Sequence, residues 1–331
     1  MQHKKALIAA AITAGLAVSA NAAAEATVYG KIHTSIASVS EDTGTTDTSS
    51  TEIKSNASRI GVKGSKELQN GLTVTGQAEF EIDFVGDKTE SSTSKYISTR
   101  NTYVGLKGGF GEVRVGMHDT PHKMSTAKLD VFSDTYADYN NIIQNDNRLG
   151  NVIAYLNNFG NVGFAAAYYA GNDEVDQENT ADATSAMVNY AAGDLYLAAA
   201  VESFAADNTA ATDELETATK FGAGYKFGPV ALGLVYETLA YETSNDVTET
   251  YVSLKYKASD AVALKAAYGM RDDDVSATDD EVMSAVGVDY KMDKSATLYA
   301  LYANGTDGGL SHKGKLDGDA TALSMGIVYK F

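Results

Sequence analysis

Read back from its C-terminus, the chain alternates. Leu323, Met325, Ile327, Tyr329 and Phe331 are apolar, whereas Ala322, Ser324, Gly326 and Lys330 between them are smaller or more polar, Val328 being the exception. A period of two predicts a strand over Asp319–Phe331, with one face in an apolar medium and the other in a different one. Left unpaired, such an edge would template aggregation, so a partner strand is expected. The first strand of the chain would serve, and the pairing would close a barrel. An edge strand of an ordinary sandwich is the competing reading of this stretch.

The same pattern recurs from Glu25 onward. The first strand is expected near Ala26–Val39, with Val28, Ile32 and Ile36 on one face and Tyr29, Lys31, His33 and Ser35 on the other. A second is expected near Ala57–Ser65. After Asn70-Gly71 the alternation is clearest: Leu72, Val74, Ala78, Phe80, Ile82 and Phe84 oppose Thr73, Thr75, Gln77, Glu79, Glu81 and Asp83. A face with that many carboxylates does not suit a packed core; it suits lipid outside and water inside. Continued to the end, the pattern predicts about 16 strands. Tight turns such as Gly108-Gly109, Gly193-Asp194 and Gly228-Pro229 alternate with long polar loops, including Glu41–Glu52, Gly171–Asp182 and Asp272–Asp280. A sandwich has no reason to alternate loop length. The expected fold is therefore all-β, a transmembrane antiparallel β-barrel.

Composition agrees. Lys4 and Lys5, the apolar run Ala6–Val18 and the small-residue triplet Ala20-Asn21-Ala22 predict a signal peptide over residues 1–22, leaving 23–331 as one barrel domain. No later run is long enough for a membrane helix. Without the two leader lysines, 24 basic residues face 44 acidic ones, a net charge of −20 that argues against nucleic acid. The chain has no cysteine, which excludes disulfides and metal thiolates. Its two prolines and thirty glycines suit long strands and tight turns. Several of the twenty tyrosines fall near strand ends, as in an interfacial girdle.

One connection breaks the alternation. Asp119–Asn147 carries Pro121, a helical turn expected near Ser125–Phe132, and a mixture of acids with Leu129, Val131, Phe132, Tyr136, Tyr139, Ile142 and Ile143. It is too apolar for a solvated tail, and inside a wide barrel it would fold against the lumen wall and narrow the pore. Signals for catalysis are weak: His33, His118, His122 and His312 are scattered, and the glycines from Gly105 to Gly111 precede a strand rather than a helix. Loop acids such as Asp272-Asp273-Asp274 could hold divalent cations, but solvated charge is the stronger reading of them.

The chain resembles the trimeric general diffusion porins of Gram-negative outer membranes. The resemblance rests on Val28-Tyr29-Gly30-Lys31, on Ser58-Arg59-Ile60-Gly61-Val62-Lys63-Gly64 followed by Leu68-Gln69-Asn70-Gly71-Leu72, and on Arg100. It continues through Val104-Gly105-Leu106-Lys107-Gly108, Phe110-Gly111, the strand end at Gly116 and the final Val328-Tyr329-Lys330-Phe331. It implies a sixteen-stranded trimer whose third external loop folds inward, with basic wall residues facing acidic loop residues. On this chain the wall would be Lys31, Arg59, Arg100 and Arg148, and the loop acids Asp130 and Asp134. Many relatives carry arginine where this chain has Met117; Arg114 is the expected partial substitute. Alternatively, the basic residues merely pair with lumen acids such as Glu79 and Glu81. Tyr329 and Phe331 would form the terminal signal read by the outer-membrane assembly machinery.

The function expected is passive diffusion of small hydrophilic solutes and ions through a water-filled channel, with modest cation preference and no bound cofactor or catalytic role. Expected partners are outer-membrane lipid, lipopolysaccharide, the assembly machinery and further copies of the chain. A substrate-specific channel with a saturable site and a plugged adhesive barrel are the alternatives.

Overall fold

The computed structural model describes residues 25–86, 96–171, 182–205, 215–274, 280–311, 316 and 318–331. The expected signal peptide lies outside the described residues. Strand segments in chain order are β1 (Glu25–Asp42), β2 (Asp47–Ser55), β3 (Arg59–Glu67), β4 (Thr73–Ile82), β5 (Ile97–Thr99) and β6 (Thr102–Gly108). They continue as β7 (Gly111–Asp119), β8 (Arg148–Phe159), β9 (Val162–Tyr169), β10 (Ala183–Ala192), β11 (Leu195–Phe204) and β12 (Leu215–Phe227). The last six are β13 (Val230–Tyr241), β14 (Val247–Lys257), β15 (Val262–Asp272), β16 (Glu281–Lys291), β17 (Ala296–Thr306) and β18 (Asp319–Lys330).

These eighteen segments form one antiparallel sheet in which β1 also pairs with β18, so the sheet is a closed barrel. Two spanning strands are interrupted: β2 and β3 both pair with β1, and β5 and β6 both pair with β4. Each pair counts once, leaving sixteen spanning strands. The segment at Asp47–Ser55, read from sequence largely as loop, is an extension of the second strand; its run of serine and threonine hides the alternation.

The seam joins Ile32 to Tyr329 and Ile36 to Met325, and runs on to Asp42 opposite Asp319. Beyond β18, Gly30 N–H donates to Phe331 O at 3.0 Å and Phe331 N–H returns to Gly30 O at 3.1 Å. Gly30 is required there, since a Cβ would lie 2.4 Å from the Phe331 ring. Exposure follows the alternation: Leu323, Met325, Ile327 and Tyr329 are exposed on the outer face, and Ala320, Ala322 and Ser324 are buried on the inner. The outward apolar side chains form the lipid-facing band of a transmembrane barrel.

Among the described residues, the largest buried cluster is not between sheets but between the wall and the long connection. Leu129, Phe132, Tyr136, Tyr139, Ile142 and Ile143 pack with Tyr196, Val235, Tyr251, Ala267, Met283 and Leu301. The loop therefore folds into the lumen, as its composition predicts. Its helix α1 (Pro121–Thr126) begins earlier than the expected turn, because Thr120 caps it by accepting from Lys123 N–H at 3.1 Å and Pro121 occupies its first turn. A 3-10 turn, Ala127–Leu129, follows.

Candidate functional site: a charged constriction

Inward glycines on β12–β16 form the trough that receives the loop. A Cβ on Gly269 would stand 2.7 Å from Ile142 Cγ1, and one on Gly287 would stand 2.8 Å from the Phe132 ring. Burial of the loop's apolar side chains in this trough holds it down. At its tip the loop reaches the opposite wall, where the Tyr136 hydroxyl donates to Glu52 and Lys54 lies 5.0 Å from the Tyr136 ring.

Between loop and wall lies a polar cleft of about 270 Å³. Arg59, Arg100 and Arg148 line it from the wall, with Lys123 from the loop; Asp119, Asp130, Asp134, Asp138, Asp146 and Glu81 supply the carboxylates. Asp134 is the acid that meets the wall: it pairs with Lys31, and its Oδ2 lies 3.4 Å from Arg59 Nη2. Its backbone has φ of 61°, a left-handed conformation that aspartate tolerates better than most residues. Asp138 secures that turn by accepting from Asp134 N–H at 2.6 Å.

The other basic residues are matched locally. Arg100 donates to Glu79 at 2.9 Å and to Glu81 at 2.8 Å, the wall pairing that the sequence left as an alternative. Arg148 pairs with Asp119 at 2.8 Å. Arg114 does not line the cleft; Glu112 (3.0 Å), His118 (2.7 Å) and the Tyr103 ring (4.3 Å) enclose it nearer the short-turn end. Thus the structure brings Lys31, Arg59, Arg100 and Arg148 together with Asp134, and leaves Arg114 apart. Asp130 lines the cleft but is turned toward β14 and its own loop, its Oδ1 accepting from Phe132 N–H at 2.8 Å and Tyr251 at 3.2 Å. Burial, and then the neighbouring Asp138 carboxylate, push the Asp130 carboxyl well above its ordinary range.

The wall is irregular where it faces the loop. The break between β2 and β3 includes Ala57, with φ of 48°; Arg100 stands in the break between β5 and β6; and the β7–β8 register shifts between Gly116 and His118. Met117 falls in this last irregularity. Such interruptions re-aim side chains from a ladder, and here two of them deliver Arg59 and Arg100 to the cleft.

Behind the loop runs a row that sequence reading missed. Lys220 stands opposite Glu237, Glu237 opposite Glu249, Glu249 opposite Arg271, and Arg271 opposite Glu281. Lys220 Nζ lies 3.2 Å from Glu237, and Arg271 lies 3.3 Å from Glu249 and 2.7 Å from Glu281. Gln144 N–H of the loop donates to Glu249 at 3.0 Å, and His122 lies 3.2 Å from Glu237. His118 and His122 thus have different partners. Inward-parity charge on successive strands was the available signal, but only register aligns it into a row.

A model of the Gram-negative porin family matches residues 6–331. The chain belongs to that family. It is similar to outer membrane porin protein 32 of Delftia acidovorans, 32% identical over 253 residues that cover 71% of this chain and 70% of the relative. It is also similar to major outer membrane protein P.IB of Neisseria meningitidis, 31% identical over 208 residues, covering 59% of this chain and 57% of that one. Among solved structures, Salmonella typhi OmpF in complex with daunomycin superposes with a TM-score of 0.74 at 18% identity, over 95% of this chain and 99% of that one. The trimer form of Vibrio cholerae OmpT gives 0.67 at 21% identity, over 93% of this chain and all of that one. This porin is an outer-membrane channel protein of the Gram-negative envelope.

Proposed function

We propose that this porin conducts small hydrophilic solutes and ions passively, with modest cation preference, through the cleft between Asp134 and the basic wall. The observation that carries the reading is the charge of that cleft, in which six carboxylates face four cationic side chains. A narrow aqueous passage with excess fixed negative charge favours cations. The preference is modest because Lys31 adds a further positive charge beside Asp134. Opposed charges also create a field across the passage that orients polar solutes and disfavours apolar ones.

We assign the wall role to Lys31, Arg59, Arg100 and Arg148, and the loop role to Asp134, with Asp130 supporting it. Similarity to the trimer form of OmpT supports a homotrimer. The apolar outer face would meet lipid and lipopolysaccharide. Tyr329 and Phe331, whose rings lie 5.9 Å apart beside the seam, suit an assembly signal read before the barrel closes. Reversal potentials of the purified protein in planar bilayers under a KCl gradient test the proposal. A cation-preferring open conductance is expected; anion preference would overturn the selectivity, and absence of conductance would overturn the channel.

A further inference from the structure

The lumen carries a second charged region of opposite sign. At the short-turn end, below the inward loop, a cavity of about 520 Å³ opens against β12–β17. Four lysines line it, Lys226, Lys255, Lys257 and Lys291, against two aspartates, Asp260 and Asp289. This net positive lining occurs in a chain whose formal charge is −18. All four lysines keep the inward parity of their strands. Lys255 shares the phase of buried Tyr251 and Ser253, and Lys226 that of buried Lys220.

The aspartates do not neutralise the site. Asp289 is held mainly by a further lysine, Lys265, at 2.7 Å, and Lys255 reaches it only at 3.8 Å. Asp260 pairs with Lys257 at 2.7 Å but is itself fully exposed, so that pair is screened. Lys226 and Lys291 have no ion-pair partner among the described residues. Register sharpens the observation. Lys255 stands directly opposite Lys265 across β14 and β15, a like-charge juxtaposition that costs stability in an antiparallel pair. Above it, Lys128 of the loop lies over the Tyr196 ring and feels Lys226 as a repelling neighbour.

We infer that this lysine-lined vestibule is an anion-binding site, separate from the constriction, for small multivalent anions that carry phosphate or carboxylate groups. Its volume lies within the range of small-molecule sites. Lysine presents a compact charge on a flexible stem and imposes no fixed fork geometry. The site should therefore accept either group, exchange its occupant rapidly and weaken with salt. Barrels of this class place short turns on the periplasmic side, so the site faces the periplasm.

The inference rests on the channel reading for its electrical readout, and a second measurement separates the two. Pyrophosphate and citrate, added in turn to each side of single channels in bilayers, are expected to cause concentration-dependent block, stronger from the short-turn side. Comparing the two probes tells phosphate from carboxylate preference. In the Lys226→Gln/Lys255→Gln/Lys257→Gln variant the blocking constant should weaken by about tenfold, the combined effect of three solvent-exposed charge contacts. Its open conductance and its assembly into a folded barrel should persist. Raising KCl from about 0.1 M to about 1 M shortens the screening length from about 10 Å to about 3 Å and should weaken block in the wild type. Calorimetric titration of the detergent-solubilised protein with the same anions reads the site even if no conductance appears, and there the variant should lose most of the binding heat. Equal block or binding in variant and wild type, or neither probe binding the wild type, would overturn the inference.

Discussion

Asp134 Oδ2 lies 3.4 Å from Arg59 Nη2, so two residues 75 positions apart in sequence meet across the lumen of the barrel. One comes from a loop that folds inward and the other from the first residue after a strand break. Lys31 completes the contact. This contact between loop and wall therefore depends at once on the loop's apolar anchoring and on the wall's irregular backbone.

Neutralising either loop aspartate should have unequal effects. Asp134→Asn leaves Lys31 and Arg59 without their carboxylate and should lower the cation-to-anion permeability ratio by about twofold or more at low salt, where screening is weakest. Asp130→Asn should change that ratio less, because the Asp130 carboxylate is turned toward Phe132 N–H and Tyr251 and not toward the basic wall. Reversal potentials of the two variants, recorded side by side, check the contrast; equal shifts would remove the special role given to Asp134.

Asp130 also makes stability depend on pH in a defined sense. Its carboxyl is raised in the folded state by burial and by Asp138, so the folded protein binds a proton that the unfolded chain has released. Stability from this group is complete below the ordinary aspartate pKa and declines as pH rises toward the raised value. Asp146 behaves oppositely. Burial raises its carboxyl, but Lys123 at 2.6 Å and then Lys220 outweigh that and hold it low, so its contribution persists through mild acid and is lost as pH falls below the ordinary range. Denaturant midpoints between pH 4 and pH 7, compared for wild type, Asp130→Asn and Asp146→Asn, should show the first slope removed in one variant and retained in the other.

Closing the trough should displace the loop. Gly269→Val places its Cβ within 2.7 Å of Ile142, and overpacking of this kind costs about 1–3 kcal/mol. The expected result is a less stable barrel with raised and noisier single-channel conductance. Unchanged conductance with unchanged stability would show that the loop is not held by this contact.

The buried row makes a different prediction. Glu237→Leu alone leaves Lys220 buried beside Asn145 O without its carboxylate, and breaking such a pair costs about 3–5 kcal/mol. Combining Lys220→Met with Glu237→Leu should recover most of that loss, because both desolvation costs disappear together. A double-mutant cycle on thermal unfolding measures the coupling.

At the seam, removal of Phe331 deletes two backbone hydrogen bonds to Gly30 and uncovers that glycine. The yield of assembled barrel should fall, while channels that do assemble should conduct normally. Gly30→Leu, which displaces the ring and keeps Phe331, should impair closure too. Normal assembly of both variants would refute the role given to this contact.

The alternation around Leu72–Phe84 and Leu323–Phe331 was enough to predict strands, faces and closure, since a side-chain period of two reports local backbone geometry and one-sided burial. The resemblance supplied Arg59, Arg100 and Asp134. Arg114 and Asp130 show where position along a strand or loop is insufficient: both have suitable charge, yet Glu112 and His118 enclose the first and Tyr251 fastens the second. The serine- and threonine-rich stretch at Asp47–Ser55 concealed a strand because both of its faces are polar.

The barrel is written in local patterns of the chain: alternating strands, alternating loop lengths and a loop too apolar to remain in water. Charge placement, by contrast, emerges only once the barrel is folded. Pairing of Lys31 and Arg59 with Asp134, the row from Lys220 to Glu281, and the lysines gathered below the loop all depend on strand register and on where the loop lands. Those relations arise between residues distant in sequence, and a local period carries no information about which strand lies opposite or at what height two charges meet.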